Sequence, residues 1–462
     1  MLWADIVYVA LLLLSIAIGP FYRKIEDTNT KQWISTIIGV TIATIASGIH
    51  VIHPLLTTLV NAIVITKLSP KKCHLISFFF SFFYLLIVFR LGHWVGLPIS
   101  PTHTNLILMV LTLKLPGLAF EINSASTAPP DDAEGVNSKA MKNLGMLDVF
   151  HYAFSYMGVL TGPYYRYRTY WDSIHRPFSK YVDPWPITFY KLKQITAFVV
   201  LFLIMSKLFP SQYLLTSEFT ERSFLYKYLY MFPEFGTFRL RMYIGTILSE
   251  CGCQMAGLGA YPTKTNPISG QGPKDYKMIE AMSSIPEKLQ DEVQDFETVH
   301  NMNVGQVESC VLVRTAMKVW NTCIQYWMAV CVYKRFPHKG SRTFVTLTLS
   351  ALWHGYAPGY YFCICQIPLF LSLEDICVKY YKNSAENSLA KKAWGLFLWH
   401  LKSTCMAYLA VPFQLLRWEE IFYYYRSIYF SGHILVIALH VLVRIFQPYL
   451  ATKHVDDKQK IK

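Results

Sequence analysis

Charged residues are scarce in this chain. Only 16% of its 462 residues are Asp, Glu, Lys or Arg, whereas 53% are hydrophobic. Soluble domains carry about a quarter charged residues, so the composition is typical of a membrane protein. The formal net charge is +14. Because no soluble basic domain is present to hold a polynucleotide, we exclude nucleic acid as a partner. Basic loops facing an anionic leaflet, or anionic substrates, are the remaining explanations for the charge.

Several signatures of catalysis and metal binding are also missing. The sequence has no GxSxG elbow, no HExxH zinc motif and no glycine-rich phosphate loop. The HxxxxD pattern of soluble-facing acyltransferases is absent, because the fifth residue after His354 is Gly359. Cys251 and Cys253 are too close together for a zinc knuckle and have no histidine nearby. We therefore predict no metal site.

Apolar stretches separated by polar loops are abundant. A membrane-spanning helix needs about 20 residues, and we count about eleven membrane segments. The prediction is an all-α, polytopic transmembrane helical bundle that forms a single domain over residues 1–450. No internal repeat is evident, which argues against transporters built from duplicated halves. The apolar stretches are 6–19, 34–49, 51–66, 74–97, 103–122, 147–163, 194–209, 224–249, 308–333, 343–374, 393–416 and 427–447.

The polar segments suggest how the chain is arranged. HVIHP at 50–54 predicts a tight hairpin, and the loops flanking it are both basic. The positive-inside rule therefore places those loops in the cytosol and the N-terminus in the lumen. We predict flexible loops near 123–143 and 262–301, the second with a short amphipathic helix around 277–296. The basic tail 451–462 is predicted to be disordered.

Polar residues occur inside apolar segments in the middle of the chain. Residues 238–261 include Arg239, Arg241 and Glu250, and residues 314–336 include Asn321 and Gln325. Each costs several kcal/mol in lipid unless it faces another polar group, a wet cavity or the interface. Their recurrence on consecutive elements favours a polar, functional interior, and structural pairing is the alternative.

Helical spacing places some of these residues on common faces. Asn321 and Gln325 are four residues apart, and so are Thr346, Ser350 and His354. Residues at this spacing share one face of a helix, so two polar stripes could meet in the core of the bundle.

A histidine and an asparagine in a dry pocket suit acyl transfer. Neutral imidazole at His354 can take the proton from an attacking alcohol. Asn321 can orient the alcohol or the histidine, or donate to the developing oxyanion. Trp320 directly precedes Asn321 and Trp353 directly precedes His354, and both rings could shield the site from water. The break expected at 355–359 would leave backbone groups to line a cavity. The alternative for His354 is an ordinary packing role.

Four long segments resemble the membrane-bound O-acyltransferase family. They are GVLTGPYYRYRTYWD (158–172), FRLRMYIGTILSECGCQMAGLGAYP (238–262), WNTCIQYWM (320–328) and SALWHGYAPGYYF (350–362). The resemblance implies a tunnel through the bundle, with His354 as the catalytic base and Asn321 as its partner. It is closest to the members that reacylate lysophospholipids in the endoplasmic reticulum membrane. It implies lysophosphatidylinositol as acceptor, arachidonoyl-CoA as favoured donor, and no cofactor, since acyl-CoA is a co-substrate.

The remaining site predictions concern substrate binding. Arg166 and Arg168 could grip a phosphate, or they could be interface anchors. Arg239 and Arg241 could meet the phosphates of CoA, or they could pair with Glu250. The other residues predicted to line or support the site are Trp320, Gln325, Ser350 and Trp353.

Other functions remain open from sequence alone. Within the family, the acceptor could be another lysophospholipid, such as a choline or serine form, or a secreted peptide. A different class of protein is a membrane transporter in which the histidine relays protons. No protein partner is predicted.

Overall fold

The structure is a computed structural model that describes residues 2–96, 101–129, 141, 144–176, 178–285, 289–290, 292–442 and 445. Nearly all regular structure in these ranges is helical. Tyr261–Pro262 (β1) and Gln294–Asp295 (β2) form a two-stranded antiparallel sheet. The helices are Leu2–Arg23 (α1), Thr28–Ser47 (α2), Ile52–Lys67 (α3), Pro70–Phe83 (α4), Thr102–Thr127 (α5), Met146–Ala153 (α6), Tyr167–His175 (α7), Trp185–Leu208 (α8), Ser217–Glu221 (α9), Phe224–Met255 (α10), Tyr276–Ser283 (α11), Val304–Ser309 (α12), Val313–Lys318 (α13), Thr322–Trp327 (α14), Arg342–His354 (α15), Pro358–Ile364 (α16), Ile367–Asn383 (α17), Leu389–Leu415 (α18), Trp418–Ser427 (α19) and Ser431–Leu442 (α20).

Several helices are long and apolar enough to cross a membrane, which confirms the predicted polytopic helical architecture. Among the described residues there are six such segments, or seven if the bent pair α19 and α20 is one span. The predicted number of about eleven segments, which includes shorter and re-entrant ones, stays a prediction. The six are Asp5–Arg23, Thr28–Lys67, Pro70–Arg90, Thr102–Thr127, Trp185–Leu215 and Pro358–Asn383.

The predicted hairpin turn lies between α2 and α3. A single 3-10 turn, Gly48–Val51, joins them, and Gly48 has φ 57° and ψ −137°, a left-handed conformation that favours glycine and interrupts the helix. Both helices pack against the short helix α6, to which α2 is also tied by a 2.7 Å hydrogen bond between Thr36 Oγ1 and His151 Nδ1. Because Thr28–Lys67 forms one candidate membrane segment across this turn, the tight hairpin at 50–54 stays a prediction.

The chain divides into two compact units. The larger unit comprises Met1–Leu201, Leu240–Val304 and Lys318–Gly355, and the smaller comprises Phe202–Arg239, Gly305–Met317 and Tyr356–Lys462. The predicted domain boundary at residue 450 and the tail 451–462 lie outside the described residues.

In the smaller unit, α16 packs closely on α18. A Cβ at Gly359 would lie 2.0 Å from the carbonyl oxygen of Pro412, so only glycine allows this approach. In the same unit, Lys402 Nζ donates to the carbonyl oxygens of Val307 and Glu308, both at 3.1 Å. The short helix α12 is thereby tied to α18.

Three segments have different boundaries in the structure from those predicted from the sequence. Helix α5 continues to Thr127, so the loop predicted at 123–143 starts later, and most of the rest of it lies outside the described residues. The helix expected around 277–296 ends at Ser283, because Gln294–Asp295 pairs as a strand with Tyr261–Pro262. The stretch 308–333 is not one helix: it is split among α12, α13, α14 and a π-helical turn at Met328–Tyr333.

Candidate active site

Two tryptophans attach the segments that carry Asn321 and His354 to the same helix. In the larger unit, Trp327 Nε1 in α14 donates to the carbonyl oxygen of Leu113 at 2.9 Å. Trp353 Nε1 in α15 donates to the carbonyl oxygen of Met109 at 3.0 Å. Both acceptors lie on α5, one turn apart, which is about 6 Å along the helix axis. Helix α5 therefore holds α14 and α15 side by side.

Apolar packing supports this arrangement. At Gly117 of α5, a Cβ would lie 3.2 Å from Trp327 Nε1 and 2.7 Å from the hydroxyl of Tyr164, so glycine gives the indole room to approach. Both tryptophans belong to one buried cluster, each no more than 5% exposed. Close packing of this kind fixes relative positions because voids and overlaps are both costly. The cluster also includes Phe82, Leu85, Phe89, Leu108, Met109, Leu113, Cys323, Met328, Cys331 and Val332.

His354 is the last residue of α15. The chain leaves the helix at Gly355 and enters α16 at Pro358, as the sequence predicted for this break. The imidazole is half-buried, and its ring centre lies 4.9 Å from that of Trp353 in an edge-on arrangement. Thr346 and Ser350 precede it on the same helix at the predicted four-residue spacing.

Arg90 holds the end of this helix, a role that was not predicted from the sequence. Its guanidinium donates from Nη1 to the carbonyl oxygen of Leu352 at 3.2 Å and from Nη2 to that of Trp353 at 2.8 Å. Its Nε donates to Asn105 Oδ1 at 2.8 Å. The last carbonyls of a helix lack partners within the helix and attract cations, so Arg90 fixes the turn on which His354 lies. The available signal was one arginine within the apolar stretch 74–97.

Asn321 is not part of a helix, contrary to the prediction that it shares a helical face with Gln325. Its backbone has φ 51° and ψ 47°, and it is the N-terminal cap of α14. Asparagine tolerates this left-handed conformation better than most residues. The Gln325 side chain donates to the carbonyl oxygen of Trp320, and the Trp320 ring lies 5.8 Å from that of Tyr243.

A second asparagine, Asn301, holds Asn321 in place. Asn301 Nδ2 donates to Asn321 Oδ1 at 3.4 Å, and Asn301 Oδ1 accepts from the backbone N–H of Cys323 at 3.1 Å. The carbonyl oxygen of Asn301 accepts from the N–H of Thr322 at 2.8 Å. Asn301 is 5% exposed. One side chain and one carbonyl therefore fix three consecutive residues, beginning with Asn321.

Glu250 in turn fixes the backbone of Asn301. Its Oε1 accepts from the N–H groups of Asn301 at 2.7 Å and Met302 at 3.1 Å. Its Oε2 lies 2.6 Å from Lys191 Nζ and 3.4 Å from His300 Nδ1, and the residue is 0% exposed. Burial lowers the pKa of His300, but the hydrogen bond and charge of Glu250 outweigh it, so the pKa is raised overall. The alternative in which Arg239 or Arg241 pairs with Glu250 is wrong, because Lys191 takes that place.

Arg166 and Arg168 are buried and paired. Arg166 Nε lies 3.2 Å from Glu121 Oε2, and both side chains are 5% exposed. Arg168 lies 2.9 Å from Asp172 and 2.8 Å from Glu280. Burial raises the pKa of Glu280, but its arginine partners outweigh this and lower it overall. These contacts favour structural ion pairs, and phosphate binding by Arg166 and Arg168 stays a prediction.

Arg239 and Arg241 have different surroundings. In the smaller unit, Arg239 Nε lies 3.3 Å from Glu308 Oε1, and its guanidinium lies 4.7 Å from the Phe235 ring centre. In the larger unit, the Arg241 side chain is 60% exposed and lies 3.9 Å from Asp5. Of the four predicted arginines, Arg241 is the most accessible to an anionic ligand.

Within the described ranges, no group of three or more His, Cys, Asp or Glu side chains could hold a metal.

The chain combines helical segments long enough to span a membrane with a histidine and an asparagine whose segments are both attached to α5. These features define a polytopic membrane protein with a candidate site for proton transfer. Residues 97–411 match the membrane-bound O-acyltransferase family, and the chain belongs to that family.

Individual relatives are similar over nearly the whole chain. A protein of Drosophila melanogaster named membrane-bound acylglycerophosphatidylinositol O-acyltransferase is 38% identical, covering 95% of this chain and 91% of its own length. Proteins with the same name from Xenopus laevis and Homo sapiens are 35% and 34% identical. The match covers 96% of this chain and 94% of the Xenopus protein, and 93% of this chain and 92% of the human protein.

Proposed function

We propose that this protein is an acyl-CoA:lysophosphatidylinositol O-acyltransferase that rebuilds phosphatidylinositol from its lyso form, with arachidonoyl-CoA as the favoured donor. The names of three relatives that are 34–38% identical support the reaction and the acceptor. Acyl-CoA is consumed as a co-substrate and no cofactor takes part. The enzyme resides in the endoplasmic reticulum membrane with its N-terminus in the lumen, an orientation supported by the basic loops at 20–33 and 67–73.

In the proposed mechanism, His354 acts as the general base. The imidazole takes the proton of the acceptor's glycerol hydroxyl as that oxygen attacks the thioester carbonyl carbon. The C–O bond forms, and the C–S bond of the tetrahedral intermediate then breaks. The imidazolium gives its proton to the leaving CoA sulfur, which departs as a thiol. The products are a diacyl phospholipid and CoA, and neutral His354 is regenerated. General base catalysis of this kind supplies about 10²–10⁴-fold, and positioning of the two substrates supplies much of the remainder.

The observation that carries this assignment is the attachment of α14 and α15 one turn apart on α5. Trp353 precedes the base directly, and Arg90 holds the carbonyls of the two residues before it. The backbone that leads to the imidazole is therefore held in place, which limits the reorganisation needed when the hydroxyl arrives.

The test is CoA release by purified protein supplied with lysophosphatidylinositol and arachidonoyl-CoA. His354→Ala should lose turnover while still accumulating in membranes, and Asn321→Ala should lower kcat by about 10²–10³-fold. His338→Ala is the matched control, because His338 is exposed and its ring hydrogen-bonds to Ser341, three residues along the chain. Normal turnover in well-expressed His354→Ala protein would refute the mechanism.

A second experiment tests the substrates. The enzyme is given a mixed pool of lysophospholipids carrying inositol, choline and serine headgroups, together with several acyl-CoA species, and the lipid products are measured by mass spectrometry. We expect phosphatidylinositol with an arachidonoyl chain to dominate. Equal rates for inositol and choline acceptors would remove the headgroup specificity. Substrate flux across sealed vesicles without consumption of acyl-CoA would favour a transporter.

A further inference from the structure

The hydrogen bonds of Asn301 determine which way the Asn321 amide faces. A backbone N–H can only donate, so the Asn301 atom that lies 3.1 Å from the N–H of Cys323 must be the oxygen, Oδ1. The Asn301 amide nitrogen is therefore the atom facing Asn321, at 3.4 Å. Because that nitrogen donates, the Asn321 atom facing it is also an oxygen. The Nδ2 group of Asn321 lies on the opposite edge of its amide.

Neither asparagine can rotate easily out of this arrangement. The N–H of Asn301 is bound to the buried carboxylate of Glu250 at 2.7 Å, and its carbonyl oxygen binds the N–H of Thr322 at 2.8 Å. The left-handed backbone of Asn321 fixes where its side chain leaves the chain. The Asn321 amide is oriented by its contact with Asn301 Nδ2, and the remaining hydrogen bonds hold Asn301 in place.

We propose that Asn321 acts as a hydrogen-bond donor, through Nδ2, to the carbonyl oxygen of the thioester, and that Asn301 is the positioning residue that turns it to do so. This rests on the proposed acyltransferase function. A donor aimed at the oxygen where negative charge develops stabilises the transition state more than the ground state. The other role open to Asn321, accepting a hydrogen bond from the alcohol or the imidazole, requires Oδ1, which faces Asn301.

Asn301→Asp tests this with a nearly isosteric change. Aspartate still accepts from the Cys323 N–H, but its second oxygen cannot donate and repels Asn321 Oδ1, so the Asn321 amide rotates and turns its oxygen towards the substrate. We expect kcat to fall by about 10²-fold or more, with KM for both substrates changed less than about threefold. Asn266→Asp adds the same charge in the same loop at an exposed site and should leave both constants unchanged.

Asn321→Asp is the second variant, and it keeps the contact with Asn301. Its inner oxygen accepts from Asn301 Nδ2 as before, but an oxygen replaces Nδ2 on the outer edge. A donor role predicts a loss of kcat similar to that of Asn301→Asp. Retained turnover in Asn321→Asp would overturn the proposal, because a carboxylate can serve as an acceptor but not as a donor.

A spectroscopic readout separates orientation from general damage. Acyl-CoA labelled with ¹³C at the thioester carbonyl is bound to the His354→Ala protein, and its carbonyl stretch is recorded by infrared difference spectroscopy. Adding Asn301→Asp should move the band to higher wavenumber, because the hydrogen bond is lost. An unmoved band, or wild-type kcat in folded Asn301→Asp, would overturn the role of Asn301. The proposed function fails separately, if His354→Ala turns over normally.

Discussion

Replacing Lys191 by methionine removes the cation that faces a fully buried carboxylate. Lys191 Nζ and Glu250 Oε2 are 2.6 Å apart, with side-chain exposures of 10% and 0%. Removing one partner of a buried ion pair costs about 3–5 kcal/mol. His300 and two backbone N–H groups still face Glu250, so we expect a loss near 3 kcal/mol. At about 2 °C per kcal/mol, the unfolding midpoint should fall by about 6 °C.

The assay is thermal unfolding in detergent or nanodiscs, followed by a thiol-reactive dye. Cys251 and Cys253 are buried in the fold and become reactive when it opens. The matched background is Glu250→Gln, whose side-chain oxygen can still accept from the backbone N–H groups but carries no charge. In that background the same lysine substitution should cost less than about 1 kcal/mol, because no buried charge is left unpaired.

The outcome that refutes this reasoning is equal loss in both backgrounds. It would mean that Lys191 contributes only packing, and that the carboxylate is not the charged group holding the backbone of Asn301. A smaller loss at pH 6 than at pH 8 would add support, since protonated His300, whose pKa Glu250 raises against the effect of burial, partly replaces the lysine.

Three further predictions address separate features. Arg90→Gln should lower kcat at least about tenfold with unchanged expression, because the carbonyls before the catalytic histidine lose charge-assisted hydrogen bonds; wild-type kinetics would contradict the role of Arg90. Gly39→Ala should lower the thermal midpoint, since its Cβ would meet a carbonyl oxygen at 1.8 Å, whereas Gly245→Ala, with nothing within 4 Å, should not; similar midpoints for both would show that the backbone there can shift. Burial lowers the pKa of His300, but Glu250 raises it above its ordinary 6.5. His300→Gln should therefore destabilise the protein below about pH 6.5, and the destabilisation should disappear as the pH rises through the raised pKa. A difference in thermal midpoint that does not depend on pH would exclude the ion pair.

Hydropathy and local chemistry predicted much of this protein. Apolar runs indicated the spanning helices, and the proline and glycines after His354 indicated where α15 ends. Both are local properties, set by side-chain transfer to lipid and by allowed backbone angles. Of the polar residues in the central segments, Glu250 lies inside the fold as expected, whereas Arg241 is exposed.

The partners of those residues could not be predicted in the same way. Arg90 and Trp353 are 263 positions apart, and Lys191 and Glu250 are 59 apart. Nothing in local sequence indicates such pairs, because they form only when the helices pack. The helical face proposed for Asn321 failed for a related reason: contacts from Asn301 hold its backbone in a conformation that helix periodicity does not consider.

Most of helix α8 is not buried in the fold. Of its 24 residues, all of them described, only Thr188, Lys191 and Ile195 are buried, and all three lie in its first half. At 1.5 Å per residue the helix is about 36 Å long, compared with a hydrocarbon core of about 30 Å. A span longer than the hydrocarbon core is accommodated by tilting, by kinking or by local thickening of the bilayer. A change in bilayer thickness therefore acts on the same helix that carries Lys191, the ion-pair partner of Glu250.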